Sequence, residues 1–470
     1  MATPRHALFA LDPAATTPLY RQIYDRIRGA IASGALKPGD RVPSARALTA
    51  ELGVARGTID AAYGLLSAEG YIEARGQAGT VVTPGLKHRA PVVAPRLRSE
   101  PAAPSFRPDT VLPLQMGLPA LDGFPRKIWA RLGARRARAT QHIDMAQPPL
   151  FGLPALREEV ATYLRVSRGL DCSPSQVFIT SGFRQTMTLV TRAVLKAGDR
   201  AWVEDPGYPP ARRILDAMGV RVAPVPVDSE GIVVAEGVRL APRAKLAVVT
   251  PAHQSPLSVS LSLPRRLALL DWAAQSGAFI VEDDYDGEYR YVSRPLPALG
   301  SLDREGRVIY AGTFSKVLFP SLRLAYVVVP TGLIERFEEV FQVFAGDAPE
   351  LTQSIVAAFI KEGHFARHIQ RMRACYAQRR AWTVAGLGQA LGPGVRIDTQ
   401  PGGMHLILRF PGRWSDRRLV ARMRDDGLYA EALTDWSVQG NGSPALLVSF
   451  TNVTSHDEAK ALGTRINRLR

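Results

Sequence analysis

The sequence predicts an α/β chain in two units: a small one of three helices and a β-hairpin, and a large one built on a mostly parallel sheet. Three observations predict this. Residues 19–69 carry three runs of helical apolar spacing, followed by two short strand patterns. Pro84 to Pro113 is rich in Pro, Ala and Arg and has no hydrophobic period, as expected of an extended linker. Beyond Leu114, apolar strands alternate with amphipathic stretches. The expected boundaries are therefore 1–83, 84–113 and 114–470.

In the first unit, Leu19, Ile23, Ile27 and Ile31 mark a helix that stops near Ser33-Gly34. Leu36-Lys37-Pro38-Gly39-Asp40 is a turn. Ser44 is the expected N-cap of a second helix with Leu48 and Leu52 facing inward. Gly53-Val54 turns into a third helix, roughly Ala55 to Glu69, with Ile59, Tyr63 and Leu66 on its inner face. Gly70–Glu73 and Thr80–Val82 read as strands around Arg75-Gly76-Gln77-Ala78-Gly79. This order describes a winged helix-turn-helix. Arg56, Thr58 and Asp60 then project from the start of the recognition helix, where such helices meet base edges and phosphates. Arg46, on the second helix, and Arg75 with Gly76, at the wing tip, are candidate backbone and minor-groove contacts. A small protein-interaction domain is the alternative.

The whole chain has 470 residues, 46% hydrophobic and 22% charged, with a formal net charge of +16. That charge invites a nucleic-acid partner. Basic residues exceed acids only slightly before Thr83, however, and runs such as Arg126 to Arg138 and Arg367 to Arg380 fit solvated helix faces. Cys172 and Cys375 give no metal or disulfide spacing. No apolar run approaches the ~20 residues of a membrane span, and no secretory leader pattern is present. A cytoplasmic protein without a metal site is expected. A linker of about thirty residues can reach across several tens of Å.

In the large unit the strand candidates are Val177–Thr180, Ala201–Glu204, Arg221–Val225, Lys245–Thr250, Ala278–Glu282, Arg307–Tyr310 and Leu324–Val329, with helices such as Thr186–Leu195 and Pro264–Gln275 between some of them. Ligands of such sheets bind at the carboxyl ends of the strands, and the unusual residues fall there. Thr180-Ser181-Gly182-Phe183 joins a strand to a helix and leaves backbone N–H groups for a phosphate. Tyr208, after Glu204-Asp205-Pro206-Gly207, is placed either to stack on an aromatic ring or to serve the core. Glu282-Asp283-Asp284-Tyr285-Asp286 puts several acids at a buried strand end, which is costly unless they meet a cation. A pyridinium N–H facing Asp283 is one such cation, with Tyr285 on the ring hydroxyl; a bound metal is the rival. In Gly312-Thr313-Phe314-Ser315-Lys316 a strand exit presents a lysine. Poor hydration there lowers its pKa and frees the amine for Schiff-base chemistry. Seven residues on, Arg323 offers a guanidinium fork to a phosphate.

Residues 18–82 closely resemble the DNA-binding domain of GntR-type regulators. Behind them, EDPGYPP, TPAHQSP, EDDYDGEYRY, GTFSKVLFPSLR and PGGMHLIL resemble fold-type-I aminotransferases that use pyridoxal 5′-phosphate, and more specifically the MocR (GabR-like) branch of GntR regulators. The resemblance spans nearly the whole chain. It implies a large sheet domain plus a smaller α+β domain, and a head-to-tail homodimer. It further implies DNA contacts at Arg46, Arg56 and the wing tip, with Lys316 as the Schiff-base residue. Asp283 would face the pyridine nitrogen, Tyr285 the ring hydroxyl and Tyr208 the ring face. Arg323, Ser181, Gly182 and Thr313 would hold the phosphate, Phe183 would be a further cofactor contact, and His253 and Gln254 would line the pocket.

The departures concern the substrate side. Leu447 stands where relatives place an arginine for the substrate carboxylate, and Pro209-Pro210 follow Tyr208. Gln147 replaces a phosphate-binding tyrosine, and Ser255-Pro256-Leu257-Ser258 lacks the usual ending. His405 and Arg409 are candidate substitutes for the missing arginine, with a buried structural role for the histidine of PGGMHL as the alternative. The expected function is a pyridoxal phosphate-dependent transcriptional regulator that binds double-stranded DNA and senses an amine or a pyridoxal vitamer. An active aminotransferase with an appended head is the alternative, and a DNA-binding protein with an inert dimerisation scaffold is a third.

Overall fold

The computed structural model describes residues 11–12, 15, 17–76, 79–86, 111–291, 296–344, 346, 348–399, 402–438, 440 and 443–470. Apart from its ends, the expected linker lies outside these residues. The chain divides into two compact units, Met1–Arg107 and Pro108–Arg470.

The first unit contains α1 (Leu19–Ala32), α2 (Ala45–Leu52), α3 (Arg56–Ala68), β1 (Ile72–Ala74) and β2 (Thr80–Val82). Ile23, Ile27, Ile31, Leu48, Ile59 and Leu66 are all buried in one core. Ser44 caps α2 by accepting from the Ala47 N–H at 3.1 Å. Gly53, in the left-handed region at φ 65, ends α2 and allows the tight turn into α3. β1 and β2 pair antiparallel, Ile72 opposite Val82. Two polar ties escaped the apolar pattern: Tyr24 donates to Glu69 at 2.5 Å and Tyr63 donates to the Pro43 carbonyl at 2.6 Å.

The second unit is centred on an eight-stranded sheet. In chain order its strands are β3 (Val177–Thr180), β4 (Arg200–Asp205), β5 (Arg221–Asp228), β6 (Gly231–Ile232), β7 (Ala244–Val249), β8 (Phe279–Asp284), β9 (Val308–Thr313) and β10 (Ala325–Val328). Across the sheet they run β3-β10-β9-β8-β7-β4-β5-β6. The β5–β4–β7–β8–β9 run is parallel. β10 is antiparallel to both β9 and β3. The short segment from Phe314 to Leu324 explains the reversal, because a parallel return needs a crossover of a dozen or more residues. Ala325 consequently pairs with Thr313 on one side and Thr180 on the other. The chain around Ser181, Lys316 and Arg323 is thereby gathered at the edge where β8 also ends.

Helices cover both faces. They include α4 (Arg126–Ala139), α5 (Pro154–Arg168), α6 (Phe183–Val194), α7 (Pro209–Ala217), α8 (Val234–Leu240), α9 (Leu263–Ser276), α10 (Ile334–Phe344) and α11 (Glu350–Lys361). One face buries Val177, Ile179, Tyr326 and Val328, and the other buries Phe178, Val281, Ile309 and Val327, the period-2 alternation of a covered sheet. The 28-residue α12 (His364–Leu391) then leaves this body: Phe365 and Ile369 belong to its core, whereas Met372, Tyr376 and Leu387 belong to the next. That second core lies under a four-stranded sheet, β11 (Arg396–Asp398), β12 (His405–Arg409), β13 (Glu431–Ala432) and β14 (Leu446–Ser449), in the order β11-β12-β14-β13. α13 (Asp416–Asp425) and α14 (His456–Leu469) complete it. Among the described residues no helix is long and apolar enough to cross a membrane.

The two units have separate cores. Leu66→Ala opens a cavity in the first unit and should lower its stability by about 2–5 kcal/mol. Scanning calorimetry of the full chain should show the transition of residues 19–82 move down while that of the large unit stays in place.

Candidate functional site

The carboxyl edge of the large sheet and one face of the small sheet enclose a cavity of about 360 Å³. Lys316 follows β9, and its Nζ donates to the Gly117 carbonyl at 2.9 Å. Burial lowers the pKa of this amine, while Asp286, Glu431 and Asp283 pull the other way. Gly117 sits at φ 76, and a Cβ there would stand 2.7 Å from Nζ. The positive φ favours glycine at this position. No period or motif marked Gly117 as a site residue.

Strand alternation sorts the acids of β8 by face. Asp283 lines the cavity, is 8% exposed and has no hydrogen-bond or ion-pair partner among the described residues. Burial, reinforced by Asp284, Glu204 and Asp286, pushes its carboxyl up to about 8. Its neighbours point away. Asp284 pairs with the buried Arg168 at 2.6 Å and accepts from Tyr310 at 2.6 Å, and Glu282 accepts from the N–H groups of Leu299 and Gly300. Two of the clustered acids are therefore structural, a division that depends on the distant Arg168. Tyr285 also lines the cavity, and its hydroxyl lies 2.9 Å from His253 Nδ1.

At the other end, α6 begins at Gly182, which has no side-chain cap and adopts φ 130. A Cβ on Gly182 would come within 3.4 Å of the Arg323 guanidinium. Arg323 itself holds a left-handed conformation, φ 51 and ψ 49, which disfavours any non-glycine residue and directs its side chain. A helix N-terminus and a guanidinium fork together make an anion cradle. Phe183 and Thr313 also line the cavity. Tyr208 stands at the mouth, 39% exposed, edge-on to Phe183 at 5.2 Å between centroids.

Three expected residues sit elsewhere. The Ser181 N–H donates to Gln185 at 2.6 Å, and Ser181 does not line the cavity. His253 lies behind Tyr285, its Nδ1 also 3.1 Å from Asp286. Gln254 is buried and donates to the Pro206 carbonyl at 2.9 Å and to Glu204 at 3.2 Å. The last two support the pocket wall instead of forming it.

The small sheet supplies the remaining wall. His405 lines the cavity, but its Nε2 is 2.9 Å from the Pro256 carbonyl, and burial lowers its pKa to about 4. It is neutral at ordinary pH and offers no cation. Arg409, at the far end of β12, pairs with Asp398 at 2.8 Å and stays out of the cavity. Leu447 is fully buried among Ile407, Leu433 and Trp436. Gln147 is exposed. Glu431 and Trp436, which sequence reasoning did not single out, both line the cavity.

These residues fit pyridoxal 5′-phosphate: an unpaired buried carboxylate for a ring cation, an anion cradle, a ring face beside Tyr208 and an amine between them. When bound, that group supplies a carbonyl reactive toward amines and an electron-withdrawing ring. Among the described residues no group of three or more His, Cys, Asp or Glu could hold a metal ion.

In the first unit, Arg46 and Arg56 are exposed near the starts of α2 and α3. Arg56 is 3.5 Å from Asp60 on the same face, and Thr58 is half-buried in the first turn of α3. Arg75 approaches Glu73 at 2.5 Å beside Gly76, which adopts φ 52 at the hairpin turn.

The fold and cavity thus define an aminotransferase-class pyridoxal phosphate domain behind a winged helix. Residues 120–462 match the family model "Aminotransferase class I and II", and residues 19–82 match "Bacterial regulatory proteins, gntR family". The chain is 35% identical to the probable rhizopine catabolism regulatory protein MocR of Rhizobium meliloti, over 98% of this chain and 95% of that protein. It is 34% identical to the pyridoxine biosynthesis transcriptional regulator PdxR of Corynebacterium glutamicum, over 85% of each chain. Among solved structures, the α-aminoadipate aminotransferase LysN of Thermus thermophilus, complexed with N-(5′-phosphopyridoxyl)-L-leucine, superposes with a TM-score of 0.69 at 28% identity, over 76% of this chain and 92% of that one. The chain belongs to the MocR-type GntR regulators, DNA-binding transcriptional regulators with a pyridoxal phosphate-binding aminotransferase-like domain.

Asp283 gives opposite signs for stability and binding. In the cofactor-free fold its proton is retained up to about pH 8, whereas an unfolded chain releases it near pH 4. Stability from this group is therefore full below about pH 4 and is lost as pH rises through about 8. Asp283→Asn should flatten that part of the melting-temperature profile and raise the cofactor-free melting temperature at pH 8. The same substitution should weaken pyridoxal phosphate binding by about tenfold or more, read by fluorescence titration.

Proposed function

We propose that this regulator senses an amine-bearing small molecule, or a pyridoxal vitamer, in the cavity around Lys316 and converts its binding into altered DNA affinity. One observation carries this reading: the cofactor side of the cavity is complete, while the opposite wall presents the acid Glu431, with the buried Leu447 behind it, where an amino-acid aminotransferase would need a cation. A carboxylate at that wall is left unpaired, which costs several kcal/mol. In this reading Lys316 bonds the cofactor, Asp283 holds its ring nitrogen and Tyr285 its hydroxyl. Tyr208 covers the ring, and Gly182, Thr313 and Arg323 hold the phosphate. Ser181 and Gln254 support the walls. A ligand acts by binding one conformation more tightly than another.

Arg46, Arg56, Thr58, Arg75 and Gly76 form the proposed DNA surface. The chain is proposed to pair head to tail with a second copy through the 84–113 linker. Ile143 and Met145, both more than two-thirds exposed in the large unit, support a partner surface there. The alternative, a working aminotransferase with a DNA-binding head, draws on the same Lys316, Asp283 and Tyr285. Steady multiple turnover of an amino acid with a keto acid would favour it over the sensor.

The test is a mobility shift on promoter fragments near the protein's own gene, with and without pyridoxal phosphate and candidate amines. Arg46→Ala and Arg56→Ala should each weaken binding across sequences and reduce the salt dependence by about one released counterion. Lys316→Ala should keep its fold by circular dichroism, lose the visible absorbance of the loaded protein, and no longer change DNA affinity with amines. A wild-type protein that binds no such fragment overturns the regulator reading.

A further inference from the structure

Once the cofactor's groups are assigned, the cavity keeps two further acids, Glu431 and Asp286. Arg323 belongs to the phosphate cradle, and Arg184 is exposed on the same helix start. Asp283 belongs to the ring nitrogen. Glu431 remains on the opposite wall, where its Oε1 accepts from the Tyr429 hydroxyl at 2.8 Å and its Oε2 from the Trp436 indole N–H at 3.0 Å. These two donors fix the carboxylate's position, and no ion pair among the described residues includes it. Asp286, on the same cavity, is 1% exposed; its Oδ1 lies 3.1 Å from His253, and its Oδ2 has no hydrogen-bond partner among the described residues. A buried acceptor in that state is stabilised by any donor a ligand brings. Leu447, paired directly with Glu431 across β13 and β14, is fully buried and brings no cation to this acid.

We infer that the pocket takes an amine whose far end carries hydrogen-bond donors, ammonium or hydroxyl, and no carboxylate, and that Glu431 is the residue that selects it. The inference rests on the sensor reading and names the class of its ligand. Specificity comes from both signs of interaction. A donor meets a fixed acceptor, and a ligand carboxylate meets a like charge in a cavity of low dielectric, where repulsion is strong.

The test uses the full chain loaded with pyridoxal phosphate and matched straight-chain probes: α,ω-diamines, α,ω-amino alcohols and ω-amino acids of equal length. Binding is followed by the change in visible absorbance and by melting temperature. The diamine and the amino alcohol should bind about tenfold or more tighter than the matched amino acid. Glu431→Gln should weaken the diamine about tenfold or more and leave the amino acid unchanged or improved. A diamine preferred over its amino alcohol identifies the far group as a cation; parity identifies hydroxyl recognition, and both support the inference. Amino acids binding equally or more tightly, or no response to any diamine or amino alcohol, overturns it. Should the variant not fold, the wild-type ranking decides alone. Visible absorbance and DNA binding of the same preparation without probes report separately on the sensor reading.

Discussion

Much of the large unit depends on one constraint, the antiparallel return of β10 between β9 and β3. It forces the short Phe314–Leu324 connection to stay at one edge of the sheet. Lys316, Arg323, Thr313 and Gly182 come together there because Ala325 is registered against Thr313 and Thr180 at once. Asp283 arrives from the adjacent β8, whose register places Asp284 opposite Gly312. Had β10 continued parallel, a crossover would have carried Arg323 away from the start of α6. The site is thus a product of topology before it is a product of side chains.

The same edge carries the electrostatic tension of the fold. Asp283, Glu282 and Glu204 are all buried near one another, and burial raises each, to about 8, 7 and 7. Glu282 and Glu204 are served by backbone and hydroxyl donors, and Asp284 by Arg168. Asp283 alone in this group is left for a ligand. A carboxyl kept protonated by burial and without a partner is a preorganised receptor for a cation, whose arrival favours its ionised form.

Period and punctuation made most of the architecture legible. The strand runs, the Ser44 cap, the Gly53 turn and the wing all follow local chemistry that survives packing. The gathering of Lys316, Asp283 and Arg323 around one cavity was legible because they sit in motifs at strand ends, where side-chain chemistry and strand direction agree. What stayed hidden depends on long-range contact. Gly117 matters only because Lys316, far along the chain, reaches its carbonyl. Arg168 looks like an ordinary helix-terminal arginine until β8 delivers Asp284 to it. His253 and Gln254 sit in a loop whose sequence promises pocket residues, yet the fold turns them behind Tyr285 and toward Glu204. Arg409 carries the right charge, but its place at the far end of β12 gives it to Asp398.

The wall built by the small sheet decides what kind of signal the cavity can send. A ligand shifts an equilibrium only through differential affinity for its two states, however tightly it binds. A molecule that touched only Lys316 and the edge of the large sheet would have no contact with the small sheet through which to favour one arrangement of the two over another. In the proposed reading a ligand that spans from Lys316 to Glu431 engages the large and the small sheet together, and α12 runs from the core of the first to the core beneath the second. Binding across that span favours the arrangement in which the sheets stand at the ligand's length. On that proposal the second polar group of the effector is a mechanical requirement as much as a specificity element, and the acid at position 431 sets what that group must be.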